Sequence, residues 1–391
     1  MKYNFNELIE RRGTNAIKYD EIESIWGRSD LIPLWVADMD FKTPAFIINA
    51  IQKRMEHEIF GYTCPPDSYY DAVKQWVNRR YHMNVEKECI HYLPGIVPGI
   101  HHAICAFTEK GDKVLIQPPV YHPFRQIIEG TGRVPAYSPL IIKEKRLYMD
   151  MESLRNSLKG CRMFILCNPH NPGGMAWTTE ELEQVAEICK ENDVIVVSDE
   201  IHADMVLAPH MHHPFANINE WTRQHTITFM APSKVFNMPG IIASESIIFN
   251  AKLREQYHQY IETNGLAMGN VFSYIAAEAA YQHGEEWLKE MLEYVKENML
   301  FIDQTLKSRM PKIKAILPEA SFLVFLDCRE LEFNNQKELI NFFANEARLG
   351  LNSGDMFGKE GIGFMRFNAA APRKIIEQAM LQLEEAYLKH F

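Results

Sequence analysis

Residues 162–202 read RMFILCNPHNPGGMAWTTEELEQVAEICKENDVIVVSDEIH. The apolar runs at 162–167 and 194–198 each predict a β-strand. Between them, residues 178–192 are amphipathic at helical spacing and begin with the capping-box pattern T-x-x-E. A strand, a helix and a strand in this order predict a βαβ unit with parallel strands.

The same alternation continues on both sides of this unit. Apolar runs at 113–117, 226–230 and 245–249 predict three further strands. Strands that alternate with helical segments indicate the α/β fold class, with a mostly parallel central sheet. This sheet would form the larger part of the molecule.

The last third of the chain has a different pattern. It predicts a smaller α+β domain with a helix at 284–308, a strand at 321–327, a helix at 336–348, a strand at 363–368 and a closing helix from 372. At 391 residues, the chain is longer than one compact core usually holds. We therefore predict a large domain at 44–283, and a small domain formed by the irregular N-terminal arm 1–43 together with 284–391.

Composition and charge exclude several classes of protein. The net charge of -10 and the scattered basic residues argue against a nucleic-acid partner, which needs a basic surface. No apolar stretch is long enough to cross a bilayer, so we expect no membrane partner. The start lacks the apolar region of a signal peptide, and the seven cysteines form no CxxC pair. These features together favour a cytoplasmic protein with reduced thiols.

Polar clusters follow the central strands at the point where each predicted strand ends. They supply the ring of Tyr121, the amide of Asn171, the carboxylate of Asp199 and the amine of Lys234. In an open α/β sheet, ligands bind at the carboxyl ends of the strands. A ring, an amide, a carboxylate and an amine at one edge suit a cofactor with a pyridine ring.

Each candidate residue also has a simpler interpretation. Lys234 could be a surface lysine, although a partly desolvated amine after a strand would be a good nucleophile. Asp199 could cap the next helix, or it could pair with a protonated pyridine nitrogen. The turn 95–99 could only start a helix, or its free amides could bind a phosphate. These alternatives stay open at the level of the residues.

Histidine spacing gives no support to a metal site. His210, His212 and His213 lie beside prolines and are typical of a solvated loop, while His101 and His102 are adjacent and would point in different directions on a helix. We predict no metal.

The motifs in this order resemble the fold-type I pyridoxal-phosphate enzymes of the class I/II aminotransferase family, over essentially the whole chain. The resemblance is strongest to their cystathionine β-lyase or C–S lyase branch (MalY/PatB type). The segments that carry it are PLWVADMDF at 33–41, FGYT at 60–63, GIVPG at 95–99, PPVYHPF at 118–124, CNPHNPGG at 167–174, SDEIHAD at 198–204, APSKVFNMPG at 231–240 and GFMRFNAAAP at 363–372.

The resemblance implies a homodimer that binds pyridoxal 5'-phosphate and a small amino-acid substrate. By this resemblance, Lys234 would bind the cofactor covalently and Asp199 would pair with its pyridine nitrogen. Asn171, with His202 nearby, would bind the ring hydroxyl, and Tyr121 would stack on the ring face. The phosphate would be bound by Ile96, Val97, Ser233 and Tyr62 of a second subunit, and Arg366 would bind the substrate carboxylate. Arg366 could instead form a surface ion pair. Two phosphate-binding positions of the family depart from its pattern, since they hold Ala231 and Ile242.

The implied reaction is an α,β-elimination that converts L-cystathionine or a related cysteine S-conjugate to a thiol, pyruvate and ammonia. Lys234 and Tyr121 are the expected proton carriers. An aminotransferase that uses the same residues is the first alternative. A non-catalytic regulatory protein on the same fold is the second. A nicotinamide-dependent dehydrogenase is disfavoured, because no GxGxxG follows the first strand.

Overall fold

The structure is a computed structural model that describes residues 2–143 and 145–391. Its strands, numbered β1 to β15 in chain order, are Ile32–Pro33, Ile90–Leu93, Lys113–Ile116, Val134–Tyr137, Ile141–Lys143, Arg146–Tyr148, Cys161–Cys167, Ile195–Asp199, Thr226–Met230, Ser244–Ile247, Lys314–Ile316, Leu323–Asp327, Leu349–Gly350, Asn352–Ser353 and Phe364–Asn368. Its α-helices, numbered α1 to α14, are Ile17–Asp20, Ile22–Trp26, Ala45–Met55, Asp67–Tyr81, Ile96–Phe107, Pro123–Gly130, Met151–Ser157, Thr179–Asn192, Glu220–His225, Ala251–Thr263, Val271–His283, Glu285–Arg309, Gln336–Asn341 and Arg373–His390.

The central sheet has the strand order β2-β10-β9-β8-β7-β3-β4. The strands β4, β3, β7, β8 and β9 run parallel, whereas β10 is antiparallel to both of its neighbours. All five strands expected from apolar runs lie in this sheet, so the predicted α/β class is confirmed. The strands at the two edges, β2 and β4, were not predicted, because β4 is partly exposed and neither has a long apolar run.

The βαβ unit at the centre of the sheet forms as its sequence predicts. Helix α8 begins after Thr178, whose hydroxyl accepts a hydrogen bond from the Glu181 N–H at 3.2 Å. The Glu181 carboxylate accepts one in return from the Thr178 N–H at 2.9 Å. This capping box fixes the start of the helix and therefore the length of the loop that follows β7.

The C-terminal third forms a four-stranded antiparallel sheet in the order β11-β12-β15-β14. The predicted helices α12 and α14 and the predicted strands β12 and β15 are present. The single helix expected at 336–348 is divided, because α13 ends at Asn341 and a π-helical segment, Phe342–Glu346, follows it. The N-terminal arm joins this region through β1, which pairs with β13.

One continuous apolar core crosses the predicted domain boundary. The ring of Phe236 lies 5.9 Å from Trp76 on α4 and 5.9 Å from Trp287 on α12, measured between ring centres. Gly284 sits against the Phe236 ring and leaves no space for a side chain there. The division into 44–283 and 1–43 with 284–391 therefore stays a prediction.

The described helices contain none that is long and apolar enough to cross a bilayer. All seven cysteines are free thiols, and five of them are buried.

Candidate active site

The carboxyl ends of three neighbouring strands meet at one edge of the central sheet. Cys167 on β7 is opposite Asp199 on β8, and Asp199 is opposite Phe229 on β9. The polar segments that contain Asn171 and Lys234 leave the sheet directly after these positions. The structure therefore brings together the polar clusters that the sequence placed after separate strands.

The carboxylate of Asp199 is buried, with 5% of the residue exposed. It accepts a hydrogen bond from the Ile201 N–H at 3.2 Å, and no Lys or Arg of the described residues forms an ion pair with it. Burial raises the pKa of Asp199 to about 7. No α-helix begins after Asp199, so the helix-cap interpretation does not apply. The carboxylate is placed to receive a cationic partner.

The amine of Lys234 lies within the site. Its Nζ donates to the carbonyl oxygen of Ala37 at 3.2 Å. Burial lowers the pKa of Lys234, and the neighbouring charges of Asp38 and Asp199 oppose that shift. A lysine in this setting is more easily deprotonated than a surface lysine, which suits a nucleophile or a base.

Arg366 extends from β15 into the same space and is 4% exposed. Its Nη1 donates to the Asn171 side-chain oxygen at 3.1 Å, and its Nη2 donates to the Trp35 carbonyl oxygen at 3.0 Å. Its Nε is buried without a hydrogen-bond partner. Burial lowers the pKa of Arg366 to about 10, so the guanidinium remains charged at neutral pH. The surface ion-pair interpretation is wrong, since this cation is buried and no carboxylate of the described residues pairs with it.

Tyr121 and His202 complete the walls around these charged groups. Burial raises the pKa of Tyr121, and the charges of Asp199 and Arg366 also act on it. Burial, followed by the nearby charges of Lys234 and Arg366, lowers the pKa of His202 to about 3. The His202 imidazole is therefore neutral at physiological pH, and its Nδ1 is buried without a partner.

The start of α5 offers free backbone donors at the same edge of the sheet. Gly95 has φ +118°, which only glycine adopts readily, and the helix begins at Ile96. The N–H groups of Ile96 and Val97 have no acceptor within the helix and can bind an anion. The Gly95 N–H donates to the Ser244 hydroxyl at 3.0 Å, which anchors this turn to the start of β10. Ser233 is buried just after β9.

A segment of the N-terminal arm, residues 34–41, crosses the site. Its backbone carbonyls at Trp35 and Ala37 accept the hydrogen bonds from Arg366 and Lys234 described above. Sequence reasoning singled out the motif that contains this segment but gave it no role. Backbone carbonyls carry no signal in a sequence, so these contacts could not be found there.

Two asparagines hold this crossing segment in place. The Asn368 side-chain amide donates to the Val36 and Asp38 carbonyls at 2.6 and 2.7 Å. The Asn237 side-chain amide donates to the Met39 carbonyl at 2.9 Å. A buried amide within an apolar strand, as at Asn368, was a possible sequence signal for this role.

Tyr62 and the histidines of the 210–213 loop lie outside the buried cluster. Tyr62 is 97% exposed and is not brought near the buried cluster of its own chain. His210 is exposed on a loop as predicted, but the same prediction is wrong for His212, whose imidazole is buried and lies 2.8 Å from the Glu200 carboxylate. The described residues contain no group of three or more His, Cys, Asp or Glu side chains that could hold a metal ion.

The groups at this edge fit the chemistry of pyridoxal 5'-phosphate. The buried Asp199 carboxylate lacks a cation, which a protonated pyridine nitrogen would supply. The start of α5 offers N–H donors to a phosphate, and Lys234 offers an amine to an aldehyde. These residues therefore match the nitrogen, the phosphate and the aldehyde of one molecule.

Comparison with known proteins agrees with this chemistry. The family model for aminotransferases of class I and II matches residues 29–380. Cystathionine beta-lyase PatB of Bacillus subtilis is 39% identical over 385 residues, which cover 98% of this chain and 99% of that protein. Protein MalY of Escherichia coli is 31% identical over 391 residues, which cover 98% of this chain and 98% of that protein.

Among solved structures, cystalysin from Treponema denticola superposes with a TM-score of 0.96 at 32% sequence identity. The match covers 100% of this chain and 99% of cystalysin, whose crystal structure contains pyridoxal 5'-phosphate.

Proposed function

Because this chain belongs to the aminotransferase class I and II family, we propose that it is a pyridoxal-phosphate-dependent C–S β-lyase acting on L-cystathionine or related cysteine S-conjugates. The reaction breaks the bond between Cβ and sulfur, consumes one water and releases a thiol, pyruvate and ammonia. The observation that carries the proposal is the buried, unpaired Arg366 beside the amine of Lys234, because it sets a receptor for a carboxylate next to a base. Full-length similarity to PatB favours a lyase.

Several residues would hold the cofactor. When bound, pyridoxal phosphate withdraws electrons from the substrate Cα and so acidifies its proton. The proposed contacts are Lys234 through a covalent bond, Asp199 at the ring nitrogen, Asn171 with neighbouring His202 at the ring hydroxyl, Tyr121 on the ring face, and Ile96, Val97 and Ser233 at the phosphate. Asn171 can do this while it binds Arg366, since its oxygen accepts from Arg366 and its NH₂ remains a donor.

Lys234 and Tyr121 would move the protons. Lys234 Nζ would accept the proton of the substrate Cα, a role that its lowered pKa supports. The departing sulfur needs a proton, which Lys234 or the Tyr121 hydroxyl would deliver. The neutral imidazole of His202 adds no charge that would compete with these transfers.

Arg366 would orient the substrate through its α-carboxylate. A guanidinium fork binds a carboxylate with two parallel hydrogen bonds, which fixes the direction of the Cα–H bond. The Trp35 carbonyl and the Asn171 oxygen already hold this side chain, so little ordering remains for the moment of binding.

An assay without an acceptor tests the reaction type. With L-cystathionine and no added 2-oxo acid, we expect the purified protein with pyridoxal phosphate to release pyruvate and thiol steadily over many turnovers. A transaminase would stop after one half-reaction, because it needs a 2-oxo acid to regenerate its cofactor. Turnover that depends on an added 2-oxo acid would favour the aminotransferase. Bound cofactor without turnover under either condition would favour a regulatory protein.

A homodimer is the second part of the proposal. The exposed Tyr62 lies in a run of exposed residues that includes Ile59 at 70% and Phe60 at 56%. Apolar side chains exposed together are typical of an interface. Tyr62 would reach the phosphate of the partner's cofactor. Mixing Tyr62→Phe with Lys234→Ala chains should restore part of the lost activity, whereas a monomer at assay concentration would contradict the proposal.

A cytoplasmic location is also proposed, and it is supported by the seven free thiols, which persist in a reducing compartment. Cell fractionation would test it.

A further inference from the structure

A cavity adjoins the buried cluster and has a volume of about 450 Å³, which is within the usual range for a small-molecule site. Its inner walls are formed by Tyr121, His122 and Phe357. Arg125 and Glu360 line its outer part. The cavity is therefore apolar near the reacting groups and charged farther out.

The cavity shares Tyr121 with the buried cluster and borders the substrate end of the site through Phe357. The Phe357 ring, which forms its wall, lies 5.0 Å below the guanidinium of Arg366, measured to the ring centre. Burial, followed by the charges of Arg366 and Arg125, lowers the pKa of His122 to about 4. His122 therefore lies within electrostatic range of Arg366 in the buried cluster and of Arg125, which lines the cavity.

The charged groups at the outer end have no partners of their own. Arg125, Lys359 and Glu360 line the cavity and form no ion pair with any residue that the structure describes. The Nδ1 of His122 is buried there without a hydrogen bond. Two cations, one carboxylate and a free imidazole nitrogen therefore line one cavity, and together they complement a group that carries both a positive and a negative charge.

We propose that this cavity binds the leaving half of the substrate, and that this half carries its own amino and carboxyl groups. Arg125 and Lys359 would bind the distal carboxylate, and Glu360 would bind the distal ammonium group. The rings of Tyr121 and Phe357 would cover the methylene groups between the two ends. The inference rests on the proposed lyase function and predicts that conjugates with a zwitterionic leaving thiol, such as L-cystathionine, are preferred over conjugates without distal charges.

The test compares two substrates that share the reacting half. L-cystathionine has the distal charges, and S-ethyl-L-cysteine lacks them. For Arg125→Gln we expect kcat/KM to fall roughly tenfold with L-cystathionine, which is the size of one lost charge-assisted hydrogen bond. With S-ethyl-L-cysteine the change should stay within about twofold, because the effect of Arg125 is confined to the distal end.

Two further variants show whether the effect of Arg125→Gln is specific to the distal end of the substrate. Arg155→Gln removes an exposed arginine of α7 that pairs with Glu191 and does not line the cavity, and it should change kcat/KM for neither substrate. Arg366→Lys weakens the clamp on the α-carboxylate and should raise KM for both substrates alike. Calorimetry on Lys234→Ala protein loaded with pyridoxal phosphate measures binding of both compounds without turnover. In this background, Arg125→Gln should weaken the binding of L-cystathionine but not that of S-ethyl-L-cysteine.

The outcomes distinguish this inference from the function on which it rests. A selective loss with L-cystathionine, in turnover and in binding, supports the subsite. Equal effects of Arg125→Gln on both substrates, or none on either, would overturn the subsite while leaving the lyase in place. Wild-type protein that cleaves neither compound would overturn the proposed function and the subsite together.

Discussion

Replacing Lys234 with Ala is expected to lower the rate of pyruvate release from L-cystathionine by roughly 10⁴-fold or more. The variant loses both the amine that would hold the cofactor and the base that would take the Cα proton. Burial already lowers the pKa of this amine, which suits it to both tasks. The measurement is kcat with saturating L-cystathionine and added pyridoxal phosphate.

A small amine in solution provides a specific check on this loss. Methylamine can enter the space vacated by the Lys234 side chain and can accept a proton there, so it should restore part of the rate in proportion to its unprotonated concentration. Lys289→Ala removes an exposed lysine of α12 and serves as the matched control, which should keep full activity. Full activity of Lys234→Ala would refute the assignment of this residue.

Asp199→Asn is expected to lower kcat by roughly 10² to 10⁴-fold. Asparagine has nearly the same shape but cannot hold a proton on a ring nitrogen. Asparagine would lower the pKa of the bound ring nitrogen, and each pKa unit corresponds to about 1.4 kcal/mol of lost preference for the protonated ring. A decrease of a few pKa units accounts for the expected range. The cofactor content of the variant, measured by absorbance, shows whether the loss arises in chemistry or in binding.

Although Asp199→Asn should lose activity, its thermal stability without cofactor should be equal to or higher than that of wild type. Burial raises the pKa of Asp199 from its ordinary value of 3.8 to about 7 in the folded, cofactor-free protein. A carboxyl group with a raised pKa binds protons more tightly when folded, so it lowers stability as pH rises through that interval. Asp199→Asn removes this penalty, and at pH 8 the cofactor-free variant should unfold at the same or a higher temperature than wild type.

Asp193→Asn is the matched control for this experiment. Asp193 follows α8 in a left-handed conformation that asparagine also adopts, and its side chain is exposed. This change should alter neither kcat nor the dependence of stability on pH. A large loss of thermal stability in Asp199→Asn, together with its loss of activity, would contradict the explanation through a buried carboxylate.

The sequence predicted the central sheet because its middle strands are buried on both faces. Such strands are continuous apolar runs, as at β7, β8 and β9, and the helices between them give the parallel order. That order also placed Asn171, Asp199 and Lys234 at one edge. The short edge strands β2 and β4 lacked this pattern and were missed.

The position of Arg366 in the site could not be predicted from the local sequence pattern. Its strand was predicted, but its place beside Asn171 depends on the packing of the C-terminal sheet against the central one, and only the family resemblance suggested its role. The segment that holds both charged groups contributes backbone carbonyls at Trp35 and Ala37. Every residue has a carbonyl, so no side-chain pattern marks these two.

The sequence by itself thus determined the α/β fold class, the parallel direction of the central strands and the chemical groups that follow them, because periodicity and residue type are local properties. The tertiary structure decided which charges are buried without an ionic partner, namely Asp199 and Arg366. It also decided that Arg125, Lys359 and Glu360 line one cavity beside them. Burial and pairing arise between segments far apart in the chain. Desolvation, which sets the pKa values on which the proposed chemistry depends, therefore appears only once those segments are packed together.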